Sequence, residues 1–131
     1  MKSNKKRGND FEQELAMILS ANDMWVHLFQ QNSDGQPADI IACNKYHSFL
    51  IDAKVCLNSF DTDRIEDNQE LAMTLWLQRV GTMPYFAIKF EKTGNIYMVD
   101  YVWLSTSKKK NLSEEDIAYM GKTFEEWVND L

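Results

Sequence analysis

The sequence contains little proline and cysteine, and it has no long apolar segment. Its 131 residues include two prolines and two cysteines. No stretch approaches the roughly 20 apolar residues that a membrane span requires. The basic first ten residues are not followed by the apolar segment of a signal peptide. We therefore expect one domain, residues 1–131, that does not contact a membrane and lies in the cytoplasm, which is the host cytoplasm if the chain is phage-encoded.

Several common catalytic and metal-binding patterns are also missing. Cys43 and Cys56 have neither CxxC spacing nor histidine partners at the spacing of a zinc site, and both are expected to be reduced because they lie in apolar segments. The sequence has no glycine-rich phosphate loop and suggests no Ser-His-Asp or Cys-His arrangement. These absences argue against a zinc module, a nucleotide hydrolase and a triad hydrolase.

The net charge of −6 is unevenly distributed along the chain. Residues 113–131 carry a charge of −5, which leaves −1 for all the rest. Half of the basic residues lie in two runs, which are Lys2, Lys5, Lys6 and Arg7, then Lys108, Lys109 and Lys110. Phosphate binding requires a local positive patch rather than a positive total. The first run is therefore either a solvated end or a basic arm, residues 1–8, that binds nucleic acid.

Hydrophobic periodicity predicts a mixed α/β domain in the order α-β-β-β-α-β-β-α, in which helices flank a central sheet. The acidic residues 113–131 are expected to form a helical tail. The predicted elements are a helix over 11–22 capped by Asn9 or Asp10, strands over 25–29, 39–43 and 48–55, a helix over 65–80, strands over 85–90 and 96–99, and short helices that begin at Ser113 and Thr123. Polar loops are predicted over 30–36 and 57–64.

The first hairpin places two acids opposite each other. If its turn is centred between Lys45 and Tyr46, Asp39 faces Asp52, and Lys54 lies on the same side because side chains alternate along a strand. A one-residue slip would send the acids to opposite faces. The apolar neighbours then point into the core on the other face: Ile40, Ile51, Ala53 and Val55.

Two carboxylates at this spacing repel each other unless a cation lies between them. They suit Mg²⁺, to which the Ala53 carbonyl can add another oxygen ligand. A nearby lysine can orient a water or stabilise charge on a phosphorus centre, so Asp39, Asp52 and Lys54 together suit metal-assisted phosphodiester hydrolysis. The alternative is an ordinary ion pair at the ends of strands, which most isolated D-x-K sequences are.

In order from about residue 7 to residue 100, the segments RGNDFEQEL, NSDGQPADIIA, FLIDAK, RIEDNQELAM, PYFAIKF and NIYMVD follow one another. In these segments the chain resembles the PD-(D/E)XK nucleases, and among them the Holliday junction resolvases of the archaeal and RecU-like kinds. The resemblance does not reach the last 30 residues. It departs from the family pattern at Pro37, which Ala38 separates from the first acid, at Asp52, where close resolvases more often have Glu, and at Asn68, where RecU-like proteins often have His.

The resemblance implies a restriction-endonuclease-like fold with a central mixed β-sheet. It also implies a homodimeric endonuclease that cuts four-way DNA junctions with Mg²⁺, or with Mn²⁺ in its place. Each implied role belongs to a residue of this chain: Asp39 and Asp52 as metal ligands, Lys54 as the catalytic lysine, Glu12 to complete the acidic cluster or hold a metal-bound water, Gln69 as a supporting polar residue, and Ser33 in a loop that faces DNA. The basic residues from Lys2 to Arg7 are then expected to bind phosphates.

Other interpretations remain open at this point. The same chemistry suits a flap, a fork or plain duplex DNA. A protein of another class, which binds partners through an acidic surface on a catalytically inactive nuclease fold, is the second alternative. The acidic tail is expected on the face away from the active site or in a dimer contact through Trp127 and Leu131. A second acidic cluster, around Asp61, Asp63, Glu66 and Asp67, is interpreted as a solvated loop before a helix cap, with metal binding as its alternative.

Overall fold

The structure is a computed structural model, and it describes residues 3–29 and 38–131. The elements in chain order are α1 (Asn4–Ala21), β1 (Trp25–Leu28), β2 (Ile40–Cys43), β3 (Ser48–Cys56), β4 (Ser59–Asp61), a 3₁₀ helix (Thr62–Arg64), α2 (Asp67–Arg79), β5 (Tyr85–Phe90), β6 (Ile96–Asp100), α3 (Tyr101–Ser105), β7 (Asn111–Ser113), α4 (Glu114–Met120), β8 (Lys122–Thr123) and α5 (Phe124–Asn129). None of the helices in these ranges is long and apolar enough to cross a membrane.

The central sheet has six strands in the order β1-β2-β3-β5-β6-β8. Strands β3 and β5 are parallel, whereas the other neighbouring pairs are antiparallel. The connection between the parallel strands contains β4, the 3₁₀ helix and α2. The predicted central mixed sheet with flanking helices is confirmed.

The first hairpin has the predicted register. Ile41 pairs with Leu50, and Cys43 pairs with Ser48. The turn is stabilised by the Asn44 side chain, whose Oδ1 accepts hydrogen bonds from the backbone N–H groups of the second and third residues after it, at 2.9 and 2.8 Å. This type of turn is a frequent use of asparagine. Asp39 lies one residue before β2, and Asp52 lies within β3.

Helices cover both faces of the sheet. On one face, α1 and α5 pack against apolar side chains of β2, β3 and β5. Their buried members are Phe11, Leu15, Leu19, Phe124 and Trp127, against Ile40, Ile51, Ala53 and Ala87. On the other face, α2, α3 and α4 contribute Met73, Leu104 and Ile117, against Leu50, Phe86, Ile88 and Val99. The alternation predicted for β3 is confirmed, since Leu50 and Ile51 belong to opposite cores.

Helix α1 begins seven residues before the predicted start. Its N-cap is Ser3, whose hydroxyl accepts a hydrogen bond from the backbone N–H of Lys6 at 3.2 Å. The prediction that Asn9 or Asp10 caps the helix was wrong because its first two turns carry no apolar periodicity. The basic residues from Lys5 to Arg7 therefore lie on α1 itself rather than on a separate arm, and Lys2 lies outside the described residues.

The C-terminal region is part of the same fold. Strand β7 pairs with β4, and β8 extends the central sheet beside β6. Trp127 is 3% exposed, and its ring centroid lies 5.1 Å from that of Phe49. The suggested dimer contact through Trp127 was therefore wrong, because this side chain is used in the chain's own core. The capping roles predicted for Ser113 and Thr123 are confirmed.

The region around the second acidic cluster is a loop with caps, as predicted. Asp61 caps the 3₁₀ helix, and Glu66 is the N-cap residue of α2. Strand β4 was missed, because a three-residue strand has little periodicity and forms only through its distant partner β7. The two cysteines are free, as expected, and burial raises the pKa of the Cys56 thiol to about 11.

Candidate active site

Three acidic side chains converge from three separate elements. Asp52 is fully buried within β3, Asp39 is 7% exposed just before β2, and Glu12 is half-buried on α1. Asp39 lies between the others, since its carboxyl forms hydrogen bonds with those of both Glu12 and Asp52. The convergence that the hairpin register and the resemblance predicted is present in the structure.

Crowding and burial perturb the acidity of these groups. Burial raises the pKa of Glu12 to about 8, and the hydrogen bond to Asp39 and its charge act in the same direction. Burial also raises the pKa of Asp52 well above its usual range, again with a contribution from the charge of Asp39. The Lys54 ammonium opposes both shifts. Carboxyls in such a cluster retain protons unless a cation compensates their charge.

Lys54 and Gln69 surround the buried aspartate. Lys54 Nζ lies 3.1 Å from Asp52 Oδ2 and donates a hydrogen bond to Gln69 Oε1 at 3.2 Å. Gln69 Nε2 donates to Asp52 Oδ1 at 3.2 Å. Gln69 is itself held in the first turn of α2, where its Oε1 accepts the backbone N–H of Glu66 at 3.2 Å. The three side chains form a closed network with fixed distances.

The donor atoms of the cluster suit a hard divalent cation. All three acids offer oxygen, the preferred ligand atom of Mg²⁺ and related ions. Asp52 Oδ2 is buried, and its charge is paired with the Lys54 ammonium. Within residues 3–29 and 38–131, no three His, Cys, Asp or Glu side chains have the geometry of a complete metal site. Asp39 Oδ2 instead accepts the backbone N–H of Ala53 at 2.8 Å.

The site opens onto a cleft of about 640 Å³. Its lining includes α1, β3, the segment before α2 and the end of β5: Asn4, Arg7, Gly8, Glu12, Asp39, Ala53, Lys54, Val55, Cys56, Leu57, Arg64, Glu66, Gln69 and Glu91. The sequence did not single out Arg64, because it lies in a polar segment that was interpreted as a loop. This segment borders the cleft because Arg64 contacts the backbone of β3 at Val55.

The predicted DNA-binding residues divide into two groups. Arg7 lines the cleft, whereas Lys5 and Lys6 are exposed further along the first turns of α1. Ser33 lies outside the described residues, as does Lys2. The second basic run is partly neutralised, since Lys109 Nζ lies 2.8 Å from Asp116 Oδ2 and Lys110 Nζ lies 2.8 Å from Asp63 Oδ2.

A family model described as archaeal Holliday junction resolvase (Hjc) matches residues 3–129. The chain belongs to this family. Its members are endodeoxyribonucleases that act on Holliday junctions, and nucleases of this fold depend on a divalent cation. The resolvase family therefore accounts for nearly the whole chain, and the expectation that the resemblance stops near residue 100 was wrong. Membership in this family supports a structure-specific junction endonuclease rather than the alternative of a non-catalytic interaction protein.

The fold is also found among solved structures. One match is Hjc, a Holliday junction resolvase of the archaeal hyperthermophile Archaeoglobus fulgidus. It superposes with a TM-score of 0.73 at 17% sequence identity, and the match covers 92% of this chain and 99% of the archaeal one. This likeness confirms the restriction-endonuclease-like fold. A search among curated protein sequences gives no match.

Proposed function

We propose that this resolvase cuts four-way DNA junctions by Mg²⁺-assisted hydrolysis at the cleft lined by Glu12, Asp39 and Lys54, with the buried Asp52 beside them. The observation that carries the proposal is the convergence of three carboxyls and one lysine from distant parts of the sequence. Glu12, Asp39 and Lys54 line one open cleft, and the buried Asp52 contacts Asp39 and Lys54. Membership in a junction resolvase family indicates the class of substrate on which this site acts, which is four-way DNA junctions.

The three acids are the proposed metal ligands. When bound, the cation supplies a Lewis acid that polarises the phosphodiester and favours ionisation of the attacking water. The Ala53 carbonyl remains a proposed further ligand, although the contact seen at Ala53 is through its N–H. Mg²⁺ is proposed because each side-chain donor is oxygen, and Mn²⁺ is expected to substitute for it.

Lys54 is the proposed catalytic lysine. Its side chain is 12% exposed, so its charge acts in a partly desolvated environment, where electrostatic stabilisation of a transition state is stronger than in water. We propose that its ammonium stabilises the negative charge that develops on the attacked phosphate, or orients the attacking water. Gln69 is a positioning residue, because it holds both Lys54 and Asp52 through direct hydrogen bonds.

The N-terminal turns of α1 are the proposed entry surface for the DNA backbone. Arg7 lines the cleft, and the exposed Lys5 and Lys6 lie beyond it, where Lys6 Nζ is 3.1 Å from Asp10 Oδ1. Lys2 and Ser33 remain proposed DNA contacts on sequence grounds alone. Each phosphate that such side chains neutralise makes binding more dependent on salt.

A homodimer is proposed because resolution of a four-way junction requires two cuts in symmetry-related strands. Leu71 on α2 is 62% exposed, and Trp103 on α3 is 53% exposed. The two helices are neighbours, since Tyr101 Oη lies 2.8 Å from Thr74 Oγ1. Large apolar side chains exposed on neighbouring helices are typical of a surface that contacts a partner. We propose that a second copy of the chain binds the surface around Leu71 and Trp103.

A direct test is incubation of the purified protein with a labelled four-way junction and an equal-length duplex, each with Mg²⁺ and with EDTA. We expect paired, symmetrical nicks in the junction alone, and none in EDTA. Equal cutting of the duplex would leave a nuclease but refute the proposed selectivity. If neither substrate is cut in Mg²⁺ or Mn²⁺, the proposed chemistry is wrong.

A further inference from the structure

The cleft contains three cationic side chains within the described ranges, which are Arg7, Lys54 and Arg64. Two of them have acidic partners. Arg7 Nε lies 3.5 Å from Glu91 Oε1, and Lys54 Nζ lies 3.1 Å from Asp52 Oδ2. In residues 3–29 and 38–131, no carboxylate forms an ion pair with the Arg64 guanidinium. Arg64 therefore brings to the cleft a positive charge that no acidic side chain of these ranges neutralises.

The Arg64 side chain is exposed but held in place by uncharged groups. Its Nη1 donates a hydrogen bond to the backbone carbonyl of Val55 at 2.6 Å. Its guanidinium carbon lies 5.5 Å from the centroid of the Phe60 ring, which is fully buried. These contacts fix the plane of the guanidinium and engage one of its five N–H donors. The remaining donors are available to a ligand in the cleft.

We propose that Arg64 binds a DNA phosphate next to the one that is cut, an inference that rests on the proposed function of this cleft. The carbonyl that anchors Arg64 belongs to the residue directly after Lys54, so the guanidinium is tied to the strand that carries the catalytic groups. A planar guanidinium binds two phosphate oxygens at once. A side chain that is already held in position loses little conformational entropy when DNA binds.

A purely structural role would end with the contacts to Val55 and Phe60, which attach the 3₁₀ helix to β3 and β4. Such a role predicts that a variant loses stability while its folded form binds DNA as before. Phosphate binding by Arg64 predicts that its removal makes junction binding less dependent on salt, which a loss of folding stability alone does not cause. The two roles are therefore separated by a binding measurement rather than by activity alone.

The test compares Arg64→Ala with Arg79→Ala. Arg79 is also an exposed arginine, but it lies in the last turn of α2, ten residues and roughly 15 Å along the helix from Gln69. Binding of a fluorescent four-way junction in EDTA is measured by anisotropy over a series of NaCl concentrations. Arg64→Ala is expected to weaken binding about tenfold and to reduce the slope of log K against log salt by about 1, whereas Arg79→Ala changes neither.

Arg64→Gln provides a second variant if alanine at this position prevents folding, because an amide can still donate to the Val55 carbonyl. It is expected to show the same reduced salt slope, and Arg64→Lys is expected to retain the slope with weaker binding because it lacks the planar fork. A folded Arg64→Gln protein with wild-type affinity and salt slope would overturn the inference. A wild-type protein that binds or cuts no junction would instead overturn the proposed function.

Discussion

Removal of divalent cations is predicted to make the stability of this protein fall as pH rises. Without a cation, Glu12 keeps its proton in the folded chain up to a pKa of about 8, whereas its usual pKa is 4.5. Between these two values the folded state binds more protons than the unfolded state. The free energy of unfolding therefore decreases as pH increases through this window. This direction is opposite to that of an acid stabilised by a salt bridge, which loses stability as pH falls.

The size of the effect follows from burial. The rise in the pKa of Glu12 from 4.5 to about 8 corresponds to a change of about 5 kcal/mol in the free energy of unfolding if solvent does not screen it. Glu12 is only half-buried, however, and solvent screening reduces what such a group contributes. We therefore expect the free energy of unfolding to decrease by about 1–2 kcal/mol between pH 5 and pH 8. Mg²⁺ is expected to restore stability at pH 8, because it binds the folded carboxylates and not the unfolded chain.

The assay is urea unfolding in EDTA at pH 5, 6.5 and 8, followed by circular dichroism. Glu12→Gln is expected to reduce the pH dependence, of which Asp52 contributes the rest because its pKa is raised too, and to gain stability at pH 8, since it removes a charge that burial disfavours. Glu125→Gln is the control, because Glu125 is exposed on α5. The reasoning is refuted if Glu12→Gln keeps the wild-type pH dependence, or if Mg²⁺ does not stabilise the wild-type protein at pH 8.

Three further variants test the positioning network, the dimer surface and the fold. Gln69→Ala is expected to lower the single-turnover cleavage rate constant about 10- to 100-fold while the junction Kd stays nearly unchanged, because it releases Lys54 but leaves the cations of the cleft in place. Equal losses in cleavage rate and in junction affinity would argue against a positioning role. Trp103→Glu is expected to convert the proposed dimer to a monomer in sedimentation analysis, whereas Tyr119→Glu, at a still more exposed aromatic on α4, is not. Gly121→Ala is expected to lower the free energy of unfolding by about 1–3 kcal/mol, since its Cβ would lie 2.6 Å from the Met98 carbonyl oxygen; an unchanged urea midpoint would contradict this close approach.

Local patterns in the sequence predicted the part of the site that lies within one hairpin. The Asn44 turn fixes the register, and strict alternation along β3 then places Asp52 and Lys54 on one side and Ile51 on the other. Both features are local, so they are readable from a few neighbouring residues. The position of Glu12 is not local, and it was predicted from the family resemblance alone.

The errors have a common physical cause, because they concern elements that depend on distant partners or lack apolar periodicity. Strand β4 exists through its pairing with β7, and the two are separated by more than a third of the chain. The first turns of α1 are polar, so apolar periodicity does not mark where the helix starts at its cap, Ser3. Trp127 looked available at the end of an acidic tail, but it packs between α5 and the sheet. Arg64 borders the cleft only because the 3₁₀ helix folds back on β3.

The most direct test of the central claim is single-turnover cleavage of a four-way junction by the wild-type protein and by Asp52→Asn, with junction binding measured in parallel in EDTA. Asp23→Asn is the matched control, because Asp23 is exposed just after α1 and has a positive φ of 65°, a conformation that asparagine tolerates. We predict that Asp52→Asn lowers the cleavage rate at least about 100-fold while binding is retained, and that Asp23→Asn changes neither. Cleavage by Asp52→Asn at a rate near that of the wild type would contradict the assignment of this cleft as the active site.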